Sequence, residues 1–436
     1  MELIEEVLRA ANLTQASKEV IRNKGAGGID RMSVNDLEDY LHNNRETLIN
    51  QIRKGKYIPQ PIRGKNIPKG NGKFRTLGIP TVVDRMLQQA VLRVIMPRYE
   101  YMFSEYSYGF RPKRNTHQAV GKSLEYINSG HQHIVEIDLK GFFDKVDHVI
   151  LLQILYRKIK CKATMTLIRR WLRVPIEQSG KLVKRRKGVP QGSPISPLLS
   201  NIILHELDEY MEAKGMKFVR YADDFSIYCK TKSQAKFQGN EVYKFLRYKL
   251  KLPINRGKSG IRKPVSFQIL GYGFVPTYVK GEKGKYQLIV TKKRWITLKL
   301  KLKEITRKTR PMSFDERIEK INQVTRGWIN YFKYASIKQK LIEVDGWLRN
   351  RLRYCIWTDW KKPERKRKNL IRLGIPQGQA YAWSRTRMGG WAVAQSPILG
   401  TTITLERLKR RGYVSLHDLY QLLPTTNYKN SLFPMI

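Results

Sequence analysis

The sequence contains few features of secreted, disulfide-bonded or membrane-spanning proteins. Its 436 residues include only three cysteines, Cys161, Cys229 and Cys355, which lie too far apart for a CxxC zinc pair or a dense disulfide framework. No segment approaches the roughly 18 consecutive apolar residues of a membrane-spanning helix, and the polar first ten residues do not resemble a secretory signal. We therefore expect a cytoplasmic protein with no membrane partner.

Acidic residues are also scarce. The chain has 36 Asp and Glu against 84 Lys and Arg, which gives a formal net charge of +48 at pH 7. Such an excess repels itself unless a polyanion neutralises it, and nucleic acid is the most common polyanionic partner of basic proteins. The composition therefore favours a nucleic-acid-binding protein.

The sequence has no repeat with a period of 20 to 50 residues, which excludes solenoids and propellers and leaves globular domains. His133 to Leu139 alternates in hydrophobicity, which predicts a strand that presents Asp138 on one face. Phe218 to Cys229 consists of two aromatic and β-branched runs joined by Asp223-Asp224, which is typical of a hairpin with acids at its tip. Ser196 to Met211 has helical spacing, so helices and strands mix in an α+β arrangement.

Two further regions have helical patterns. Thr81 with Asp84 three residues later predicts a capped helix that ends at Pro97. After about Val290, apolar residues recur at helical spacing among many lysines and arginines, which predicts a mostly helical basic domain.

The acidic residues at the strand end and the hairpin tip have a chemical interpretation. Nucleotide joining needs a 3′-hydroxyl to attack a triphosphate, and two Mg²⁺ ions held by carboxylates promote that reaction. Asp138, Asp223 and Asp224 would meet if their strands are neighbours, and such a cluster of negative charge requires cations. In isolation, however, Asp223-Asp224 fits a solvated turn equally well.

These residues lie in motifs that resemble those of reverse transcriptases, and more narrowly of bacterial group II intron-encoded reverse transcriptase/maturases. Tyr221-Ala222-Asp223-Asp224 resembles the YxDD box, and Asp138 to Asp144 resembles the motif with the first catalytic aspartate. The other matching segments, in order over nearly the whole chain, are Ile67 to Arg75, Gly78 to Arg85, Tyr108 to Pro112, Pro190 to Pro197 and Arg326 to Phe332.

The resemblance implies roles for individual residues. Asp138, Asp223 and Asp224 match the catalytic metal ligands, and Lys258 matches a lysine proposed to protonate the departing pyrophosphate. Phe143 matches an aromatic gate that rejects the ribose 2′-hydroxyl and so selects deoxynucleotides.

Other matching positions would bind the substrates. Of these, Lys69 and Arg75 match the cations that bind the triphosphate, and Gln191 and Gly192 match a turn beside the incoming nucleotide. Arg63 and Arg111 are predicted template contacts. Taken alone, the cations would be read as surface charge and Phe143 as a core aromatic.

The resemblance also implies an α+β right-hand polymerase fold, with fingers and a palm built on an antiparallel sheet and a helical thumb or maturase domain after them. The predicted regions are residues 1–80 for the N-terminal extension and fingers, 81–278 for the fingers and palm, 279–365 for the helical thumb or maturase domain, and 366–436 for a basic nucleic-acid-binding region. The implied partners are an intron RNA template, a DNA primer or target and deoxynucleoside triphosphates, with no stable protein partner.

Alternative functions remain open at this stage. One alternative is a splicing cofactor that binds intron RNA without polymerising, although every expected catalytic residue is present. Another is a reverse transcriptase of retron, diversity-generating or host-repair type. The sequence has neither the VTG box that resembles retrons nor the altered Gln-Gly segment that resembles diversity-generating enzymes. The chain has no cysteine pairs or histidine cluster for an HNH endonuclease, so we expect none.

Overall fold

The structure is a computed structural model that describes residues 2–70, 72–278, 280–281 and 283–423. The chain divides into two compact units, residues 1–263 and 264–436. The domain borders named from the sequence remain predictions.

The first unit mixes helices with two four-stranded sheets. Its α-helices are α1 (Leu3–Leu8), α2 (Ala10–Arg22), α3 (Leu37–Arg53), α4 (Val82–Glu100), α5 (Thr116–Asn128), α6 (Phe142–Lys145), α7 (His148–Lys158), α8 (Lys162–Arg173), α9 (Ser196–Ala213) and α10 (Lys232–Lys244). Its strands are β1 (Ile62–Gly70), β2 (Lys73–Ile79), β3 (His133–Ile137), β4 (Ile176–Gln178), β5 (Lys181–Val183), β6 (Lys217–Tyr221), β7 (Asp224–Cys229) and β8 (Gly260–Arg262).

The sheet that carries the predicted acids has the strand order β6-β7-β3-β8, and all its described pairings are antiparallel. The pattern of β3 explains its central place, because Ile134 and Ile137 are buried while Glu136 between them is only half-buried. The predicted strand and hairpin are therefore confirmed. The other sheet has the order β2-β1-β4-β5, in which β1 and β4 pair in parallel.

Helix α4 confirms the predicted cap but not the predicted end. Thr81 accepts a hydrogen bond from the backbone N–H of Asp84, and its hydroxyl donates back to the Asp84 carboxylate at 2.9 Å. The helix continues past Pro97 to Glu100, so the expectation that Pro97 ends it was wrong. Proline in a helix removes one hydrogen bond, and the packing of the buried Ile95 and Tyr99 on either side of Pro97 offsets that loss.

The second unit is mostly helical, as the sequence predicted. Its small sheet has the order β11-β10-β9, from β9 (Gln268–Ile269), β10 (Tyr272–Pro276) and β11 (Tyr286–Val290). Its helices are α11 (Lys292–Ile305), α12 (Phe314–Phe332), α13 (Lys338–Asp359), α14 (Pro363–Arg372), α15 (Gln377–Ser384), α16 (Gly390–Gln395), α17 (Pro397–Gly400), α18 (Leu405–Arg410) and α19 (Leu416–Leu422).

Within the described ranges, no helix has the length and apolar character that a membrane crossing requires.

Candidate active site

The hairpin between β6 and β7 presents two aspartates at its tip. Tyr221 pairs with Asp224 across the hairpin, so Ala222 and Asp223 form the turn and Asp224 begins β7. Ala222 has φ +58°, a left-handed conformation that costs about 1–2 kcal/mol in a residue with a Cβ atom. The surrounding structure must therefore stabilise this turn.

Asp138 lies next to the hairpin tip. Strand β3 pairs antiparallel with β7, and the last pair in that register is Ile137 with Phe225. Asp138 follows Ile137 and Asp224 precedes Phe225, and the charge of Asp138 acts on both Asp223 and Asp224. The fold therefore brings together the acids that the sequence singled out.

The electrostatics show how strongly negative charge accumulates there. Loss of hydration raises the pKa of Asp224 to about 6, and the nearby carboxylates of Asp223, Asp138 and Glu136 contribute to that rise. Loss of hydration and the charge of Asp138 also raise the pKa of Asp223, whereas Arg220 and Arg75 oppose this shift. A bound cation would favour the ionised carboxylates.

A turn from Asn255 to Ser259 holds Asp138 by its backbone and its side chain. The Asn255 side-chain amide donates to Asp138 Oδ2 at 2.8 Å, and the Asn255 backbone N–H donates to the Asp138 carbonyl at 2.8 Å. The Asp138 backbone N–H donates to Ser259 Oγ at 3.0 Å. These bonds fix the position and rotamer of the carboxylate.

Lys258 belongs to the same turn. Its Nζ lies 3.9 Å from Asp138 Oδ2, and its side chain is 72% exposed. An exposed ammonium beside the acids is free to reach a substrate phosphate, as the predicted role in proton donation requires.

The buried guanidinium of Arg220 holds the turn at Ala222. Arg220 is fully buried and donates to the Ala222 carbonyl at 2.9 Å and to Asn201 Oδ1 at 3.0 Å. Its Nε donates to Asp208 Oδ1 at 2.8 Å, and its Nη2 donates to Asp208 Oδ2. Arg220 thus connects the hairpin tip to α9, which carries both Asn201 and Asp208.

The segment Tyr108-Gly109 packs against the same turn. Asn201 donates to the Gly109 carbonyl at 2.9 Å, and a Cβ atom at Gly109 would lie 2.2 Å from the Ala222 backbone nitrogen. Only glycine permits that approach. The motif from Tyr108 to Pro112 therefore contributes to the support of the hairpin that carries Asp223 and Asp224.

Phe143, Gln191 and Gly192 lie on connected segments. The Val189 backbone N–H donates to the Phe143 carbonyl at 2.6 Å, and the Gly78 backbone N–H donates to the Gln191 carbonyl at 2.7 Å. Phe142 is buried in the core, whereas Phe143 is half-buried and so keeps part of its ring accessible. The two adjacent aromatics thus differ in environment, with only Phe143 available to a ligand.

Gly192 occupies a position that excludes other residues. It has φ +107°, and a Cβ atom there would lie 2.4 Å from the Gly78 carbonyl oxygen. We expect Gly192→Ala to cost roughly 1–3 kcal/mol from the positive φ and a similar amount from the clash. The displaced Gln191-Gly192 backbone should also raise KM for the nucleotide, which thermal unfolding and steady-state kinetics would measure.

Gly130→Ala is the matched control for that experiment. Gly130 has φ +90°, and a Cβ atom added there would meet no other atom within 4 Å, so it shares the conformational cost without the clash. If both variants lose the same stability and keep the same KM, the close approach at Gly192 has no functional role.

The predicted nucleotide and template cations lie on the β1-β2 hairpin. Arg75 is exposed, pairs with Ile67 in that hairpin, and its charge acts on Asp223. The side chain of Lys69 lies outside the described residues. Arg63 is half-buried and pairs with Ile79 and, in the parallel register with β4, with Glu177.

Arg111 does not have the position predicted for a template contact. Its guanidinium is buried, ion-paired to Glu100 at 2.9 Å, and donates to the carbonyls of Ser104 and Ser107. Its Nη2 also approaches the Glu100 carbonyl at 3.3 Å. Because these internal partners occupy its donors, Arg111 braces the loop after α4 and has no free donor for RNA.

The acids suit a hard divalent cation, because Asp138, Asp223 and Asp224 offer only carboxylate oxygens as ligands. Across the described ranges, no three His, Cys, Asp or Glu side chains already form a closed metal-ligand group. Mutual repulsion keeps such carboxylates apart, so cation binding would have to draw them together.

Sequence reasoning missed the residues that support these acids. Asn255 and Ser259 were not predicted, although they flank Lys258, and neither was Arg220, which lies beside the hairpin acids. An arginine directly after the apolar pair Phe218-Val219 was the available signal, since a buried arginine needs buried partners.

Two family models and several known proteins match the chain. A family model described as reverse transcriptase (RNA-dependent DNA polymerase) matches residues 67–274, and one described as group II intron, maturase-specific domain matches residues 296–374. Protein YkfC of Escherichia coli is 32% identical over 289 residues, which cover 57% of this chain and 76% of that protein.

Two further relatives are longer. The group II intron-encoded protein LtrA of Lactococcus lactis is 38% identical over 207 residues, which cover 47% of this chain and 34% of LtrA. A putative COX1/OXI3 intron 2 protein of Saccharomyces cerevisiae is 31% identical over 199 residues, which cover 45% of this chain and 22% of that protein. The match thus spans about a third or less of these two relatives.

Proposed function

Because the chain belongs to the reverse transcriptase family and also matches the group II intron maturase-specific domain, we propose that it synthesises DNA on an RNA template. The observation that carries this proposal is the β3-β7 register, which ends at Ile137 with Phe225, so that Asp138 and Asp224 are the next residues at the same end of the two strands. The electrostatic effect of Arg75 on Asp223 supports a triphosphate site at the same place.

Asp138, Asp223 and Asp224 would hold two Mg²⁺ ions. Bound there, the ions would activate the primer 3′-hydroxyl and stabilise the leaving oxygens. Arg75 and Lys69 bind the triphosphate, the Gln191-Gly192 backbone positions the nucleotide, and Lys258 donates a proton to the pyrophosphate. Asn255 keeps the Asp138 carboxylate oriented throughout.

Extension of a DNA primer on an RNA template in the presence of Mg²⁺ tests the proposal. We expect the purified chain to copy the RNA and to stop when a chelator removes the ions. A protein that binds the primed template but adds no nucleotide under any divalent cation would contradict it.

Phe143 is the proposed selector against ribonucleotides. We expect Phe143→Ala to incorporate ribonucleotides about 10-fold or more efficiently relative to deoxynucleotides, because the half-buried ring no longer excludes the 2′-hydroxyl. The ratio of kcat/KM for matched ribo- and deoxynucleotides measures this change.

Phe142→Leu is the control for a general packing effect. Phe142 is buried and contacts the Phe143 ring edge-on, at 5.3 Å between ring centroids. We expect it to lower stability without changing the sugar preference. Equal loss of discrimination in both variants would mean that Phe143 acts only through packing.

The match to the maturase-specific domain favours a second role, in which the protein binds intron RNA and promotes its splicing and mobility. We expect splicing of a cognate intron to persist when Asp223 is replaced, because RNA folding needs phosphate contacts rather than nucleotide transfer. A splicing assay with that variant separates this role from polymerisation.

A further inference from the structure

A small cavity lies among the helices of the second unit, and none of the residues that line it has been assigned a role above. Its volume is about 300 Å³, and it is bordered by the start of α12, the ends of α13 and α14, and α18. Its apolar lining includes Phe314, Ile356, Trp360 and Leu373. An apolar cavity of this size accommodates one small planar group rather than a helix or a peptide segment.

Arginines surround the same cavity. Arg372, Arg407, Arg410 and Arg411 line it, and no acidic side chain among the described residues does. Arg411 is ion-paired to Asp315 at 2.5 Å and lies 4.6 Å from the centre of the Phe314 ring. Arg372 and Arg410 form no ion pair with any described residue, so their charges remain available to an anionic ligand. Arg407 also forms no ion pair within the described ranges, but its Nη1 donates to the Thr402 carbonyl at 2.5 Å.

The cavity suits the two parts of a nucleotide, because its apolar floor can hold a base and its guanidinium groups without ion pairs can bind phosphates. A base stacks on aromatic and apolar surface, and phosphates accept paired hydrogen bonds from arginine. A double helix keeps its bases stacked inside and cannot insert one into a cavity of this size, so the nucleotide must be unpaired.

We propose that the cavity bounded by Phe314, Trp360, Arg372 and Arg410 binds one unpaired nucleotide of RNA, with its base on the aromatic floor and its phosphates on the arginines. We propose RNA rather than DNA as the ligand because Phe314, Trp360 and Arg372 lie within the segment matched by the maturase-specific domain. The inference rests on the proposed role in intron RNA binding and gives that role a defined site.

Fluorine NMR of the full chain labelled with 5-fluorotryptophan reports on this site directly. The Trp360 resonance, assigned by its loss in Trp360→Phe, should shift on titration with single-stranded oligouridylate. In Arg372→Ala/Arg410→Ala, the RNA concentration for half of the shift should rise about 10-fold or more, because each lost guanidinium removes a charge-assisted hydrogen bond.

Arg365→Ala/Lys368→Ala is the matched control, because these exposed residues lie on α14, carry the same total charge and do not line the cavity. We expect less than about a two-fold change there, since distant surface charges are screened by salt. An equal loss in both double variants would overturn the proposal by showing a diffuse charge effect.

Two further titrations identify which part of the nucleic acid binds and whether RNA is preferred to DNA. An oligouridylate with an abasic site at each position should not shift the Trp360 resonance, because the base makes the contact with the floor. A deoxyoligonucleotide that shifts the resonance at lower concentration than RNA would overturn the choice of RNA. If no ligand shifts the Trp360 resonance, the proposed nucleotide site is wrong. Primer extension tests the polymerase proposal separately.

Discussion

Asp223→Ala should lower primer extension by at least about 10³-fold while leaving RNA binding within a few-fold of the parent protein. Asp223 lies at the hairpin turn, where its carboxylate and those of Asp138 and Asp224 act on one another. Loss of a metal ligand affects the transition state far more than it affects phosphate contacts elsewhere on a basic surface. Single-turnover extension and filter binding of the same primed template measure the two quantities.

Asp144→Ala is the matched control for this result. Asp144 belongs to the same motif as Asp138 but is exposed on α6, where no role in catalysis is assigned to it. We expect extension within about three-fold of the parent, as for most surface substitutions. A large defect in Asp144→Ala together with a mild one in Asp223→Ala would contradict the assignment of the acids.

Arg220→Met should have the second large effect, on both stability and rate. It removes the partner of Asp208, which is fully buried on α9, and an uncompensated buried charge costs roughly 3–5 kcal/mol. It also removes the donor to the Ala222 carbonyl, so the left-handed turn that carries Asp223 is no longer held. A misplaced catalytic carboxylate lowers kcat by about 100-fold.

The double variant Arg220→Met/Asp208→Leu separates these two effects. Replacing a buried ion pair by apolar residues of similar volume is often neutral for stability, so the thermal midpoint should largely recover. The rate should remain low, because nothing restores the hydrogen bond to Ala222. Recovery of kcat in parallel with the thermal midpoint would show that Arg220 is needed only for folding and does not position the turn.

Short-range signals in the sequence predicted much of the fold. Alternation predicted β3 and the β6-β7 hairpin, helical spacing predicted α9, and the pair Thr81 and Asp84 predicted the start of α4. Each of these depends on residues a few positions apart. The motifs then located the acids, and the register of β3 with β7 places them together.

Contacts between distant segments were not predictable in the same way. The bonds from Asn255 to Asp138 span 117 positions, and the bond from Asn201 to Gly109 spans 92 positions. The family resemblance implied that Arg111 contacts the template, but its guanidinium is buried and bonded to Glu100 and Ser104. The segment around Arg111 did not show that this arginine is buried, because its partner Glu100 lies 11 positions earlier in the chain.

The central claim is that Asp138, Asp223 and Asp224 together hold the catalytic cations. Its most direct test is a crystal structure of the protein with primed RNA template, incoming deoxynucleotide and Mn²⁺, whose anomalous signal locates the ions. We expect two ions roughly 4 Å apart, each within about 2.0–2.3 Å of carboxylate oxygens from this group. Ions bound to other residues, with Asp138 outside coordination distance of both, would contradict the claim.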